Sequence, residues 1–351
     1  MVYQIYVYLW NRQKFNIKTN YLPLQKTSIM ENHNLKLTRR KFVNLTGTSL
    51  CAIPILGLDN TIFKKSDALN NRPIINIFSK HLQFLNYYDM AEAAAELGFD
   101  GLDLTVRPMG HVLPERVTDD LPKAVEAMKK YGLSTVMMTT NVLDPENQEQ
   151  RTVLETASKS GFTHYRTGWL TYPENNTISE SQAIYGQQFK NLEALNKKLG
   201  LIGCYQNHAG KHVGAPVWDL PAILGATNNE HMGCQYDIRH AVVEGGSSWE
   251  LGLRLIRPFI KTIVIKDFKW GMVDGKWKPV NTPLGEGMVD FHRYFSLLKK
   301  YRINVPVSLH LEYDLGGAEH GASKISMDKK EVFTQMKKDL RFLKDTWGKA
   351  E

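Results

Sequence analysis

The chain has 351 residues, 42% of them apolar, enough to bury one large core. Its formal net charge of +8 is uneven. Residues 1–59 hold eight basic side chains (Arg12, Lys14, Lys18, Lys26, Lys36, Arg39, Arg40 and Lys41) against Glu31 and Asp59, which leaves 36 basic and 34 acidic residues in the rest. A body this close to neutral lacks the basic face that nucleic acid requires, so no nucleic-acid partner is expected. The three cysteines, Cys51, Cys204 and Cys234, have no spacing that suggests zinc, and the last two fall on apolar strand patterns as buried thiols.

In chain order, the first feature is a leader. Thr38-Arg39-Arg40-Lys41-Phe42-Val43 is followed by an uncharged, largely apolar run from Asn44 to Leu58. A basic stretch ahead of a short apolar one is the layout of an export signal. Gly47, Pro54 and Gly57 break the run, which is also short for a membrane span. The paired arginines before Phe42 resemble a twin-arginine (Tat) signal, which implies the Tat export machinery as a partner and a periplasmic or otherwise exported location. Because such a signal belongs at a chain start, Met30 is the expected first residue. Residues 1–29 are then an upstream extension, 30–72 signal and linker, and 73–351 the folded domain.

From Ile74 a unit repeats: a short apolar strand, polar residues, an amphipathic helix and a turn, often with glycine. The predicted strands are Ile74–Phe78, Gly101–Val106, Ser134–Thr139, Thr163–Gly168, Leu201–Gln206, Gly233–Asp237, Thr262–Lys266 and Val307–Glu312. The helices that follow them are Tyr88–Leu97, Leu121–Tyr131, Glu146–Ser160, Glu180–Leu199, Trp218–Leu224, Ser248–Ile256, Phe291–Tyr301 and Lys330–Trp347. Gly98, Gly132, Gly161 and Gly200 close the first four helices. Eight strand–helix units predict a single (β/α)8 TIM barrel of the α/β class preceded by the signal segment. A doubly wound sheet is the alternative, but no GxGxxG follows the first strand. The long loops lie after strands, at the face where barrel enzymes place their chemistry.

Alternate strand residues share a face. Gln206 and His208 therefore rise together from the fifth strand, and Gln235 and Asp237 from the sixth. Lys266 ends the seventh, and His310, Glu312 and Asp314 share a face of the eighth. The second strand offers Asp103, Thr105 and Arg107, with His111 and Glu115 in its loop. Charged groups converging on one barrel end are costly unless they are paired or bind metal, which marks a catalytic mouth.

Several segments together resemble the xylose isomerase-like TIM barrels, the sugar phosphate isomerase/epimerase group, over about residues 74–344. They are Gly98-Phe99-Asp100-Gly101-Leu102-Asp103-Leu104, Gln206-Asn207-His208, Asp237 with His240, Ile265-Lys266-Asp267, Pro283-Leu284-Gly285-Glu286-Gly287 and Leu311-Glu312. The resemblance implies one divalent ion held by Glu, Asp, His and Glu from strands five to eight, polarising a carbonyl while carboxylates move a proton. Asp237 and Glu312 match the second and fourth ligands. Gln206 stands where a Glu is expected, and Val264 where a His is. The expected remade metal set is His208, Asp237 and Glu312 with Gln206, a mixture suited to Mn, Zn, Co or Fe. Lys266, Glu312 and His208 are the expected catalytic residues, and Asp103, Arg107, His111, His240, His310 and Trp270 the expected substrate contacts. The implied activity is a metal-dependent isomerase or epimerase. Export argues for an unphosphorylated sugar or keto-sugar substrate. Cleavage of a 3-keto-glycoside in the same site, or sugar binding without catalysis, are the alternatives.

Overall fold

A computed structural model describes residues 72–351. The leader features (Arg39–Arg40, the start at Met30, Cys51, and the boundaries within residues 1–71) lie outside the described residues.

Seven parallel strands come first: β1 (Ile75–Phe78), β2 (Gly101–Thr105), β3 (Ser134–Thr139), β4 (His164–Arg166), β5 (Ile202–Gln206), β6 (Met232–Asp237) and β7 (Ile260–Ile265). Then β8 (Asp267–Val273) and β9 (Lys276–Thr282) form an antiparallel hairpin, and β10 (Val307–Leu309) is the last strand. The barrel closes in the order β1-β10-β7-β6-β5-β4-β3-β2, with Ile75 paired to Val307 at the seam. The predicted (β/α)8 architecture is the observed one.

Among the described residues nine helices surround it: α1 (Tyr87–Leu97), α2 (Val117–Lys130), α3 (Gln148–Ser160), α4 (Ile178–Leu199), α5 (Leu220–Leu224), α6 (Ile238–Gly245), α7 (Trp249–Ile256), α8 (Phe291–Lys300) and α9 (Lys329–Lys349). Their starts follow side-chain capping. Asn86 and Asn147 accept from Asp89 N and Gln150 N, and Thr177 with Glu180 forms a reciprocal capping box. The glycines after α1, α3 and α4 take left-handed φ of 92°, 92° and 67°, as their predicted C-cap role requires. Among the described residues no helix is long and apolar enough to cross a membrane.

Strand periodicity divides two environments. Leu102 and Leu104 of β2 lie in the apolar layer under the helices, whereas Asp103 turns into the barrel. There Thr139 Oγ1 and Ser308 Oγ donate to Asp103 at 2.9 and 2.6 Å, and Asn76 Nδ2 donates to Val307 O at 3.0 Å. This polar layer ties β1, β2, β3 and β10 together beneath the mouth. Gly101 is required beside it, because a Cβ there would come within 2.4 Å of Asn76 Oδ1 and 2.6 Å of Ser134 O. Cys204 and Cys234 are free and buried, as expected.

Three differences from the predicted elements bear on the mouth. Helix α6 starts with no loop after β6, because Asp237 is both the last strand residue and the helix N-cap. The β8–β9 hairpin fills a stretch expected to be loop. The last strand stops at Leu309 rather than Glu312, since Leu311 N bonds to His81 Nε2 and leaves the ladder.

Candidate active site

The C-terminal ends of β5, β6, β7 and β10 bring together Gln206, Asp237, Lys266 and Glu312. Asp237 is fully buried. Its Oδ1 accepts from His240 N at 3.2 Å as the cap of α6, which turns Oδ2 toward the barrel axis. Asn207 locks this strand end by accepting from Asp237 N at 2.8 Å and donating to Asp237 O at 3.0 Å. Oδ2 receives Gln206 Nε2 at 2.8 Å and lies 3.2 Å from Lys266 Nζ. The same ammonium lies 3.4 Å from Glu312 Oε2. Glu312 Oε1 in turn faces Lys80 Nζ at 3.3 Å and His310 Nδ1 at 3.5 Å.

Burial sets the charges here. It pushes the Asp237 carboxyl up against the pull of Lys266. For Glu312 the burial penalty is outweighed by Lys266, His310 and Lys80, which hold it well below the usual carboxylate range. Burial, with Lys266 and Arg107 nearby, brings the Lys80 ammonium down despite Glu312. Lys266 side-chain exposure is 3%, whereas Lys80 and Glu312 keep 16% and 24%. Those two therefore face an incoming ligand.

The expected metal set does not present a common group of lone pairs. Gln206 turns N–H groups to Asp237, while its oxygen accepts from Arg166 Nη1 at 3.2 Å. His208 donates Nδ1–H to Ala209 O at 2.9 Å, which leaves it a lone pair on Nε2, and its ring lies 4.0 Å from that of His240. Arg239 can only donate, so its 3.1 Å contact makes His240 Nδ1 an acceptor and leaves the proton on Nε2. Among the described residues no group of three His, Cys, Asp or Glu side chains is placed to hold a metal ion. The residues present do not fit a divalent ion as arranged.

The expected substrate contacts divide. His310 and His240 stand in the cluster, and Arg107 lies at its rim with its guanidinium 5.7 Å from the Phe78 ring. Asp103 is committed to the polar layer below. His111 faces Ser79 Oγ and Leu82 O, each at 3.2 Å, and its backbone N bonds Thr105 Oγ1. It braces the loop after β2 and has no ring nitrogen left for a ligand. Trp270 sits on the hairpin, 42% exposed, close in register to exposed Met272 and Trp277. The hairpin is tied to the mouth by Arg239 Nη2 to Asn281 Oδ1 at 2.8 Å and Asn281 Nδ2 to Glu312 O at 3.2 Å. Asp314, expected beside Glu312, instead caps Gly316 N in an exposed turn.

Lys80, Arg166 and His81 were not singled out from sequence, and Asn207 entered only as part of the Gln206-Asn207-His208 segment, with no role assigned. Lys80 lies two residues past β1, where strand parity could have placed it in the mouth. Arg166 is buried, stacks 4.3 Å from the Trp169 ring, and among the described residues has no carboxylate within 4.0 Å. Its Nε and Nη2 lack partners among the described residues, and burial brings its pKa down to about 9. Removing an uncompensated buried charge relieves desolvation. Arg166→Met is therefore expected to raise the thermal midpoint, against the usual direction for a buried substitution. A lowered midpoint in differential scanning fluorimetry would mean the guanidinium is effectively paired.

His81 has one tautomer. Its Nε2 accepts from Leu311 N at 3.0 Å, so Nδ1 carries the proton toward Ala318 O at 3.3 Å. Complete burial holds its pKa well below the ordinary 6.5. The unfolded chain then takes up this proton first on acidification, so stability is lost as pH falls below 6.5. His81→Gln is expected to lessen the loss between pH 6.5 and 5.5 by about 1 kcal/mol, read from urea midpoints. Equal slopes for both proteins would show that His81 is not buried neutral.

Residues 91–346 match the family described as the xylose isomerase-like TIM barrel. Among solved structures, D-allulose 3-epimerase from Methylomonas sp. is 14% identical with a TM-score of 0.57, covering 79% of this chain and 98% of its own. The 3-keto-D-glucoside 4-epimerase from E. coli is 14% identical with a TM-score of 0.55, covering 78% and 100%. A xylose isomerase-like TIM barrel protein from Mycobacterium smegmatis, solved in complex with magnesium, is 14% identical with a TM-score of 0.52, covering 72% and 89%. No curated protein matches the chain. At these identities the structures share the fold, and the family match extends over most of the sequence: the chain belongs to the xylose isomerase-like TIM barrel family.

Proposed function

We propose that the chain is a carbohydrate isomerase or epimerase that removes a proton from the carbon beside a carbonyl of a sugar or keto-sugar. The observation that carries this reading is the buried Asp237–Lys266–Glu312 cluster at the barrel face where such enzymes do their chemistry. Two sugar epimerases built on the same fold add support.

Glu312 is the base, because it is the carboxylate of the cluster that reaches the opening. The C–H electron pair moves into a C=C bond and the carbonyl oxygen gains negative charge. Lys266 has three N–H groups, two of them directed at carboxylates, and the third stabilises that oxygen. Lys80, whose proton is more readily released than an ordinary lysine's, is the proton donor that completes the exchange. Asp237 is a positioning residue, held off the substrate by complete burial. Trp270, exposed on the hairpin, offers a ring face to the apolar side of a sugar. The leader around Arg39–Arg40 supports export and hence an unphosphorylated substrate.

The test is incubation of the protein with free keto-sugars and keto-glycosides in deuterated water. Deuterium appearing beside the carbonyl in a recovered or epimerised sugar is expected. Release of an aglycone would transfer the same first step to an elimination. Absence of both with every sugar, with and without added divalent metal, would leave a binding barrel and overturn the reading.

A further inference from the structure

The two carboxylates that match the family's metal ligands already have a cation between them. Lys266 Nζ lies 3.2 Å from Asp237 Oδ2 and 3.4 Å from Glu312 Oε2. Lys80 Nζ lies 3.3 Å from the other oxygen of Glu312. Most of the remaining members offer an ion nothing where they stand. Gln206 offers N–H groups rather than its oxygen, His240 carries its proton on Nε2, and Val264 has no donor atom, so of the remaining members only His208 keeps a free lone pair, on Nε2. Two ammonium groups supply the same total charge as one divalent ion, and they do so where that ion would contact Asp237 and Glu312.

We propose that Lys266 and Lys80 replace the divalent metal in this barrel, so that the site binds and polarises its ligand without one. The proposal rests on the enolisation reading for what the ammonium groups do, but not for whether metal binds. Two sequence changes act together. Loss of a Glu at 206 and of a His at 264 removes two ligands, and Lys266, in a segment that itself carries the family resemblance, fills the gap with a charge that needs no ligands. An ammonium cannot accept lone pairs as an open metal site does, but it donates charge-assisted hydrogen bonds to a developing oxyanion. Its proton also lets it act as an acid, which an ion alone does not.

The experiment uses the full chain, treated with chelator and titrated with Mn(II) and with Zn(II) by calorimetry, followed by elemental analysis after gel filtration. No saturable heat and no retained metal are expected for the wild type. In Lys266→Met, which frees both carboxylates, Mn(II) affinity is expected to rise by at least about tenfold, roughly the contribution of one ligand's worth of binding. Stoichiometric metal retained by the wild type and lost in Glu312→Gln would overturn the proposal. If Lys266→Met does not fold, the wild-type titration and Lys80→Met decide it: saturable metal binding by the wild type counts against replacement, and none to the wild type with binding gained in Lys80→Met supports it. Metal content is read without any substrate. A failed proposal therefore leaves the enolisation reading standing, and a failed sugar assay leaves the metal result intact.

Discussion

Replacing Lys266 with methionine is expected to destabilise the barrel by about 3–5 kcal/mol, the cost of leaving a buried charge without its partner. Asp237 has no exposure and, among the described residues, no cation other than Lys266 within ion-pair distance, the ring of His240 at 3.6 Å being neutral. Its other partners, Gln206 Nε2 and the backbone N of His240, are dipoles and cannot neutralise it. Glu312 is better protected, because Lys80 still faces Oε1 and part of its side chain reaches water. The loss should therefore be traceable to Asp237. Asp237→Asn in the same chain removes the stranded charge while keeping its shape, and the double variant is expected to recover most of the stability. A coupling of about 2 kcal/mol or more between the two positions, from urea midpoints at unchanged m, is the expected result. Strictly additive losses would mean that the ion pair contributes nothing and that Lys266 acts through packing alone.

The stability of this pair and the readability of the sequence have a common root. The barrel was legible because each unit repeats the same apolar period, and the first four end on a glycine that proves left-handed, as at Gly98 and Gly161. The mouth was legible through strand parity: Gln206, Asp237, Lys266, His310 and Glu312 do meet, although the ladder stops at Leu309. Orientation was not legible. That Gln206 turns its amide nitrogen to Asp237 depends on Arg166 lying behind it, and strand period says nothing about a third strand's side chain. His111 looked like a loop ligand, but its partners Ser79 and Leu82 come from a turn after β1 that no spacing could foretell. The hairpin did leave a signal. Asp274 and Gly275, at φ of 51° and 71°, are the Asp-Gly pair that a tight two-residue hairpin turn requires. The flanking Trp270, Met272 and Trp277 obscured it, since exposed apolar residues in a strand do not alternate against a core. The Pro283–Gly287 segment has a plain structural role: Asp267 accepts from the backbone N of Gly285, Gly287 and Val289, at 3.0, 3.0 and 3.2 Å. Gly287 can carry no side chain, since a Cβ would meet Asp267 at 2.1 Å. This grip fixes the strand end immediately after Lys266, so a segment that carries the family resemblance holds the lysine in register.

Glu312→Gln is expected to lower the rate of deuterium incorporation beside the carbonyl by about 10²–10⁴-fold, the range that removal of a positioned base produces. The amide has nearly the same size and its one oxygen can still accept from Lys80 or Lys266, so the barrel and sugar binding should persist. The loss should fall on kcat, with KM little changed. Charge makes the argument specific to this residue. Glu312 is held well below the usual carboxylate range, so it is ionised at any pH near neutrality and needs no activation to accept a proton. A carboxylate so stabilised is a weak base on its own. It becomes effective only if the proton it takes is passed on, and His310 Nδ1 at 3.5 Å and Lys80 at 3.3 Å are the groups within reach. Lys80→Met is therefore expected to slow exchange less than Glu312→Gln and to shift the alkaline limb of the rate profile, because the variant loses the group that titrates there. Should Glu312→Gln keep within about tenfold of the wild-type exchange rate, the base lies elsewhere. Asp237 would then be the remaining carboxylate of the cluster, and it would have to leave the cap of α6 to reach a substrate.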